Sequence, residues 1–178
     1  MGNLRVCFLG TGSMGSAVLR GLVASGHPVE LVSATTKSEQ SAVGLRALGI
    51  SALSIEQSPD ANLLLSADAD LVVLGVKPYQ IVDVLKDIAV ELPKNSVVIS
   101  MAGGIELATM AVALPEHKNL IRSMPNTPAM VGQAVTGLAP HAHASAEALD
   151  AADWLFSAVG EVVRVEENQI NALSAISG

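Results

Sequence analysis

Short apolar runs rich in Val, Leu and Ile alternate along the chain with longer segments of mixed polarity. Such runs predict buried strands, and the segments between them have the spacing of helices. The predicted strands are Arg5–Leu9, Val29–Ser33, Leu71–Val76, Ser96–Met101, Asn119–Ser123, Ala134–Ala139 and Glu161–Val165. The predicted helices are Met14–Ala24, Ser38–Leu48, Tyr79–Val90, Glu106–Ala113 and Ala146–Val159. This alternation predicts an α/β fold with a doubly wound, mostly parallel sheet.

The last segment begins a new helical pattern. Ile170, Leu173 and Ile176 lie three residues apart and predict one apolar helix face. Nothing in the preceding pattern is left to cover that face, so we expect it to need a partner. A homodimer or a higher homo-oligomer formed through the region after residue 166 would supply one.

Composition and charge argue against several classes of protein. Hydrophobic residues make up 50% of the chain and aromatic residues only 2%, so the core must be aliphatic, as in parallel sheets. A net charge of −7 argues against nucleic acid as a partner. No apolar run reaches the roughly 18 residues of a membrane helix. The single Cys7 and the absence of a signal-peptide pattern favour a cytoplasmic protein, and the isolated pair His141 and His143 predicts no metal site.

The stretch FLGTGSMGSA places Gly10, Gly12 and Gly15 between a predicted strand and a predicted helix. In dinucleotide-binding folds, the first glycine of this spacing permits a tight turn and the second lets the backbone approach the pyrophosphate. The third lets the helix pack on the strand. Unpaired N–H groups at the helix start would then face the phosphates. The alternative is a tight turn that binds nothing.

The end of the second strand indicates which nucleotide would bind. A site specific for NAD normally has an acidic residue there, which takes the ribose 2′-hydroxyl. Here the chain has Thr35, Thr36 and Lys37. Hydroxyls and a cation suit a 2′-phosphate, which favours NADP(H). The alternative is a helix cap with a solvated lysine.

Three further loops follow predicted strands and would meet at the same edge of the sheet, where ligands of such folds bind. VLGVKPYQ places Lys77 at the end of a strand, and SMAGGIE places Gly103 and Gly104 where the backbone could approach a flat nicotinamide ring. RSMPNTPAMVG offers the polar groups of Asn126 and Thr127. The alternative for each loop is ordinary turn architecture.

Together these motifs resemble the amino-terminal part of Δ1-pyrroline-5-carboxylate reductase, the enzyme of the last step of proline biosynthesis. The resemblance runs over essentially the whole chain. Its segments are FLGTGSMGSA, VLGVKP, SMAGGI, RSMPNTPAMVGQAVTGLA and the tail VEENQINALSAISG. The glycine loop alone would equally suit a 3-hydroxyisobutyrate-type dehydrogenase, whereas the MPNTP stretch and the tail favour the reductase.

The resemblance implies a Rossmann-type NADP(H)-binding domain over residues 1–165 and the first helix of a helical dimerisation domain over 166–178. It implies NADPH-dependent reduction of a small-molecule substrate, the imine pyrroline-5-carboxylate, to L-proline. Asn126 and Thr127 would lie on the substrate side of the nicotinamide. The cofactor contacts it implies are Gly10, Thr11, Gly12, Ser13, Met14, Gly15, Thr35, Lys37, Asn62, Val76, Lys77, Pro78, Ala102 and Gly103.

The family's Ser-Pro-Gly-Gly-Thr loop, which holds the substrate carboxylate, is not among these residues. We therefore assign no catalytic residue and expect this chain to be inactive alone. Two alternatives stay open: the cofactor domain of a 3-hydroxyisobutyrate-type dehydrogenase, and a non-catalytic NADP(H)-binding module.

Overall fold

The computed structural model describes residues 3–177, and side chains as far as residue 173. Its strands are β1 (Val6–Leu9), β2 (Val32–Thr36), β3 (Ser51–Ser54), β4 (Leu71–Leu74), β5 (Val97–Ser100), β6 (Leu120–Pro125), β7 (Ala134–Pro140) and β8 (Gly160–Arg164). Its α-helices are α1 (Ser13–Ala24), α2 (Glu39–Arg46), α3 (Ala61–Ser66), α4 (Ile81–Ile88), α5 (Leu107–Ala113), α6 (Ala146–Ser157) and α7 (Glu167–Ser177).

The strands form one sheet in the order β3-β2-β1-β4-β5-β6-β7-β8. Neighbouring strands are parallel, with the exception of the antiparallel pair β6 and β7. One hydrophobic cluster fills the space between the sheet and helices α1, α2 and α6, and a second lies under α4 and α5 on the other face. The predicted doubly wound, mostly parallel α/β fold is confirmed.

The prediction of a strand over Val29–Ser33 is wrong in position. Val29–Leu31 forms a 3₁₀ turn, in which the N–H of Leu31 donates to the carbonyl of Pro28 at 3.1 Å, and the strand begins at Val32. Because proline fixes its own φ and often opens a turn, the apolar residues that follow it do not extend the strand.

Strand β3 and helix α3 are absent from the sequence-based prediction. The strand reads SALS and lies at the sheet edge with Ser51 exposed, so it has no apolar run to mark it. The helix is only six residues long. Periodicity needs a longer segment than either element provides, since the strand has four residues and the helix six.

Helix α7 packs on the sheet of its own chain. Ile170 is only 1% exposed, and Leu173 occupies the space that a Cβ atom at Gly137 of β7 would need. The expectation that this helix face is left uncovered is therefore wrong for Ile170. The side chain of Ile176 lies outside the described residues.

A buried ion pair fastens α7 to the sheet. Arg122 of β6 is 1% exposed, and its guanidinium donates to Glu167 Oε1 at 3.1 Å and to Asn171 Oδ1 at 3.1 Å. The same Glu167 oxygen accepts the backbone N–H of Leu107, the first residue of α5, at 2.6 Å. One carboxylate thus joins α7, β6 and the start of α5.

Removing this carboxylate should destabilise the fold, because it leaves the Arg122 charge buried without a counterion. We expect Glu167→Ala to lower the free energy of unfolding by about 2 kcal/mol, less than for a fully enclosed pair because Glu167 is partly exposed. Urea denaturation measures the free energy of unfolding of Glu167→Ala. The control is Glu166→Ala, which changes the exposed residue next to Glu167. Equal losses in the two variants would contradict a stabilising role of the pair.

Candidate functional site

The candidate site lies where the direction of chain winding across the sheet reverses. From β1 the chain runs outward to β2 and β3 and then returns to β4 on the other side of β1. Such a switch point opens a crevice at the carboxyl ends of the two central strands. The loops that flank it here are Gly10–Gly12 after β1 and Gly75–Lys77 after β4.

The two loops are in contact through the Gly10 carbonyl. Gly10 has a φ of +84°, a left-handed conformation that favours glycine. A Cβ atom at Gly15 would lie 2.9 Å from the Gly10 oxygen, and a Cβ atom at Gly75 would overlap the same oxygen. Gly10, Gly15 and Gly75 are therefore required by packing, with or without a ligand.

Gly12 differs from these three glycines. A Cβ atom there would meet no atom within 4 Å, and Gly12 is exposed. It is the N-cap of α1, which has no side-chain cap and no acidic residue in its first turn. The N–H groups of Ser13 and Met14 consequently border an open surface, and the positive end of the helix dipole suits an anion there. This arrangement fits a pyrophosphate, which needs a close approach to backbone N–H groups.

Thr35 does not face this open surface, although the resemblance implies a contact with the ribose phosphate. Its side chain is 1% exposed, and its hydroxyl bonds Gly10 N at 2.9 Å and Asn62 Oδ1 at 2.8 Å. Its carbonyl accepts the Thr11 N–H at 3.0 Å and the Thr11 hydroxyl at 3.1 Å. The Thr35 hydroxyl is thus already engaged within the protein, and a contact of Thr35 with the cofactor stays a prediction.

Charged groups just beyond β2 are arranged asymmetrically. Lys37 is exposed, and no ion pair involves it among the residues whose side chains are described. Glu39 is held by the guanidinium of Arg46 and by the hydroxyl of Ser54, and these hydrogen bonds lower the pKa of its carboxyl. Lys37 is thus available to an anionic ligand such as a phosphate group, and Glu39 is already occupied by Arg46 and Ser54.

The remaining predicted cofactor residues lie along the same edge. Val76 packs against Gly10, and Lys77 and Pro78 are exposed at the start of a 3₁₀ turn. Ala102 is buried, and Gly103 follows it in the loop after β5. The loops thus come together as the sequence predicts, while the roles of these residues toward a cofactor stay predictions.

The Asn126 side chain stabilises the loop that follows β6. Its Oδ1 accepts the N–H of Val135 at 3.0 Å, which ties the end of β6 to β7. Thr127 is exposed and begins a 3₁₀ turn over Thr127–Val131 that packs on α1. A substrate-side role of the two residues stays a prediction. Sequence reasoning did not identify Ser100, whose hydroxyl accepts the N–H of Ala102 at 3.2 Å and whose carbonyl accepts the Ser123 hydroxyl.

Other features of the described residues lie away from this edge. A cavity of about 250 Å³ is at the opposite, amino-terminal edge, where Arg5 is already paired with Asp68. Burial raises the pKa of the Cys7 thiol to about 12, so it is not a nucleophile at neutral pH. Among the described residues, no group of three or more His, Cys, Asp or Glu residues could hold a metal ion. No helix within this part of the chain has the length and apolar character of a membrane span.

Residues 5–104 match the family described as NADP oxidoreductase, coenzyme F420-dependent. The pyrroline-5-carboxylate reductase of Methanosarcina acetivorans is 36% identical to this chain over 179 aligned residues, which cover 100% of this chain and 64% of that protein. The chain thus spans a little under two thirds of the length of this curated relative.

Two solved structures similar to this chain are also reductases of this kind, and the chain again covers a little under two thirds of each. A pyrroline-5-carboxylate reductase from Coxiella burnetii superimposes with a TM-score of 0.89 at 29% identity, covering 99% of this chain and 64% of that one. The Plasmodium falciparum pyrroline carboxylate reductase, solved with NADP bound, gives a TM-score of 0.86 at 24% identity and covers 100% and 63%. The second likeness is one of fold alone.

The backbone contacts predict losses of stability of different size at two glycines of the site. Gly75→Ala should lower the free energy of unfolding by about 3 kcal/mol, because its Cβ overlaps the Gly10 carbonyl. Gly12→Ala should cost less than about 1 kcal/mol, the usual effect of losing a glycine N-cap. Urea denaturation of both variants tests this difference, and a larger loss at Gly12 would contradict it.

Proposed function

This chain belongs to the family described as NADP oxidoreductase, coenzyme F420-dependent, and we propose that it forms the NADP(H)-binding part of a pyrroline-5-carboxylate reductase. When bound, NADPH supplies the hydride that reduces the imine carbon, and with a proton on the ring nitrogen the product is L-proline. Similarity to a reductase over 100% of this chain supports this assignment. The observation that carries it is the open surface at Gly12 beside the uncapped start of α1.

The residues of this chain bind and orient in this proposal and transfer no proton. The N–H groups of Ser13 and Met14 bind the pyrophosphate, and Lys37 pairs with the 2′-phosphate. The Ala102–Gly103 backbone lies beside the nicotinamide. Residues 166–178 begin a second domain, and the substrate carboxylate is held outside residues 3–177. The single Cys7, unpaired and buried, suits a reducing compartment, and we place the reaction in the cytoplasm.

The proposal predicts that the chain binds NADPH at least about tenfold more tightly than NADH, because one charge-assisted hydrogen bond has roughly that worth. Titration of each nucleotide, followed by its fluorescence, measures both dissociation constants. Lys37→Ala should reduce the NADPH preference to about threefold or less, while NADH binding stays unchanged. Equal binding of the two nucleotides by the unmodified chain would contradict the 2′-phosphate assignment.

Gly12→Val should abolish binding of both nucleotides, because its side chain fills the space in front of the α1 N–H groups. Gly44→Val is the matched control, since a Cβ atom at Gly44 also meets no atom within 4 Å and this residue lies in α2, away from the loop. Unchanged binding in Gly12→Val would mean that the glycine loop is only a turn. Absorbance at 340 nm with pyrroline-5-carboxylate should show no oxidation of NADPH by this chain alone.

We also propose that the chain self-associates beside α7. Val135 and Val163 are 46% and 47% exposed. Both lie on the sheet face that α7 partly covers, because Val163 pairs with Gly137 and Val135 is two residues before Gly137 on the same strand. A Cβ atom at Gly137 would point at α7. Val163→Asp should therefore shift a dimer toward monomer in sedimentation velocity, because it places a charge in the contact. The exposed Val112→Asp on α5 is the control. A monomer at every concentration of the unmodified chain would refute self-association.

A further inference from the structure

Helix α5 begins without a cap of its own. Its N-cap residue is Glu106, whose side chain bonds no backbone N–H of the helix, and its first turn holds no acidic residue. The first N–H groups of a helix have no partner within the helix and need one elsewhere. The N–H of Leu107 has that partner in Glu167 Oε1, at 2.6 Å and 60 residues later in the chain. A residue of α7 therefore caps α5.

Arg122 holds Glu167 in place for this contact. The same oxygen, Oε1, accepts from the Arg122 guanidinium at 3.1 Å, and Arg122 is buried in the sheet. A second guanidinium nitrogen donates to Asn171 Oδ1 at 3.1 Å, and Nε has no partner among the described residues. A buried guanidinium with so few acceptors keeps its carboxylate close. The position of Oε1 is thus set by the sheet, through β6.

The loop between β5 and α5 is held at its two ends. At the β5 end, the Ser100 hydroxyl accepts the N–H of Ala102 at 3.2 Å, and at the α5 end the Leu107 N–H bonds Glu167. Between them, residues 103–106 form no hydrogen bond to any strand or helix other than α5 within the described part of the chain. This stretch contains two glycines, which restrict the backbone least. Its conformation therefore depends on both ends, and one of them is supplied by α7.

The loop borders the crevice between β1 and β4. Met101, its first residue, places its methyl carbon 3.8 Å from the position of a Cβ atom at Gly15 and 3.3 Å from one at Gly75. Both glycines belong to the backbone contact at the Gly10 carbonyl. In the proposed function, the Ala102–Gly103 backbone lies beside the nicotinamide, while the loops after β1 and β2 bind the phosphates. A change at the α5 end of the loop should therefore affect the nicotinamide half of the cofactor.

We infer that Glu167 is a positioning residue for the nicotinamide half of the cofactor: it touches no ligand itself, but it fixes the start of α5 and with it the loop that follows β5. This inference rests on the proposed NADP(H) site. It gives α7 a role in cofactor binding in addition to its role in holding the fold.

The test compares two ligands for Glu167→Ala: NADPH, and adenosine 2′,5′-bisphosphate, which lacks the nicotinamide half. Isothermal titration calorimetry measures both dissociation constants where circular dichroism shows the variant to be folded. We expect NADPH to bind at least about fivefold more weakly, because a lost helix cap has roughly that worth, and the bisphosphate to stay within about twofold of the unmodified chain. A general loosening of the fold would weaken both ligands to the same extent.

Two further variants separate the helix cap from the ion pair. Glu167→Gln keeps an Oε1 acceptor for the Leu107 N–H, so NADPH should bind within about twofold of the unmodified chain although the charge beside Arg122 is lost. Asn171→Ala is the matched control on the same helix, since it removes the other acceptor of Arg122 and leaves the Leu107 bond in place. It should leave the ratio of the two dissociation constants unchanged.

Three results would overturn the inference: unchanged NADPH binding in Glu167→Ala, equal weakening of both ligands in that variant, or the same change of the ratio in Asn171→Ala. If Glu167→Ala does not fold, Glu167→Asp takes its place, because its carboxylate is one methylene group shorter and cannot reach both Arg122 and the Leu107 N–H. An unchanged ratio in Glu167→Asp would then overturn the inference. Failure of the proposed function is distinguishable, because the unmodified chain would bind neither ligand.

Discussion

The close contact of two backbone segments at the Gly10 carbonyl is the constraint on which the site depends. The loop after β4 can reach the loop after β1 only because Gly75 has no side chain, and α1 can begin directly above it only because Gly15 has none. Together these contacts set the start of α1 beside the crevice between β1 and β4. The direction of its free N–H groups, and hence the position available to an anion, follows from backbone packing.

Around this contact, most of the polar groups discussed above form hydrogen bonds or ion pairs within the protein, and a few do not. The Thr35 hydroxyl and carbonyl are both used inside the structure, and Glu39 is occupied by Arg46 and Ser54. Among residues 3–173, the groups at this edge without an internal partner include donors and a cation: the N–H groups at the start of α1, the Asn62 amide and Lys37. Donors and a cation left free in this way suit an anionic ligand with several oxygen atoms.

Much of this architecture was predictable because parallel strands that are buried on both faces consist of apolar runs, and the loops after them carry unusual glycines. What the sequence could not reveal depends on contacts between distant residues. Gly75 lies in a strand end without any glycine pattern, yet it is as constrained as Gly10. Thr35 was predicted as a ligand contact because its position along the strand was correct, but only the packing of α3 against β2 shows that its hydroxyl is engaged. The edge strand β3 was missed for a related reason, since it buries too little apolar surface to form a pattern.

The ion pair of Arg122 and Glu167 links this edge to the end of the described chain. Arg122 lies on β6, the strand that leads into the loop of Asn126 and Thr127, and Glu167 also bonds the first N–H of α5, just after the loop of Gly103. A fully buried arginine with one carboxylate is costly to separate, so α7 keeps a fixed place relative to both loops.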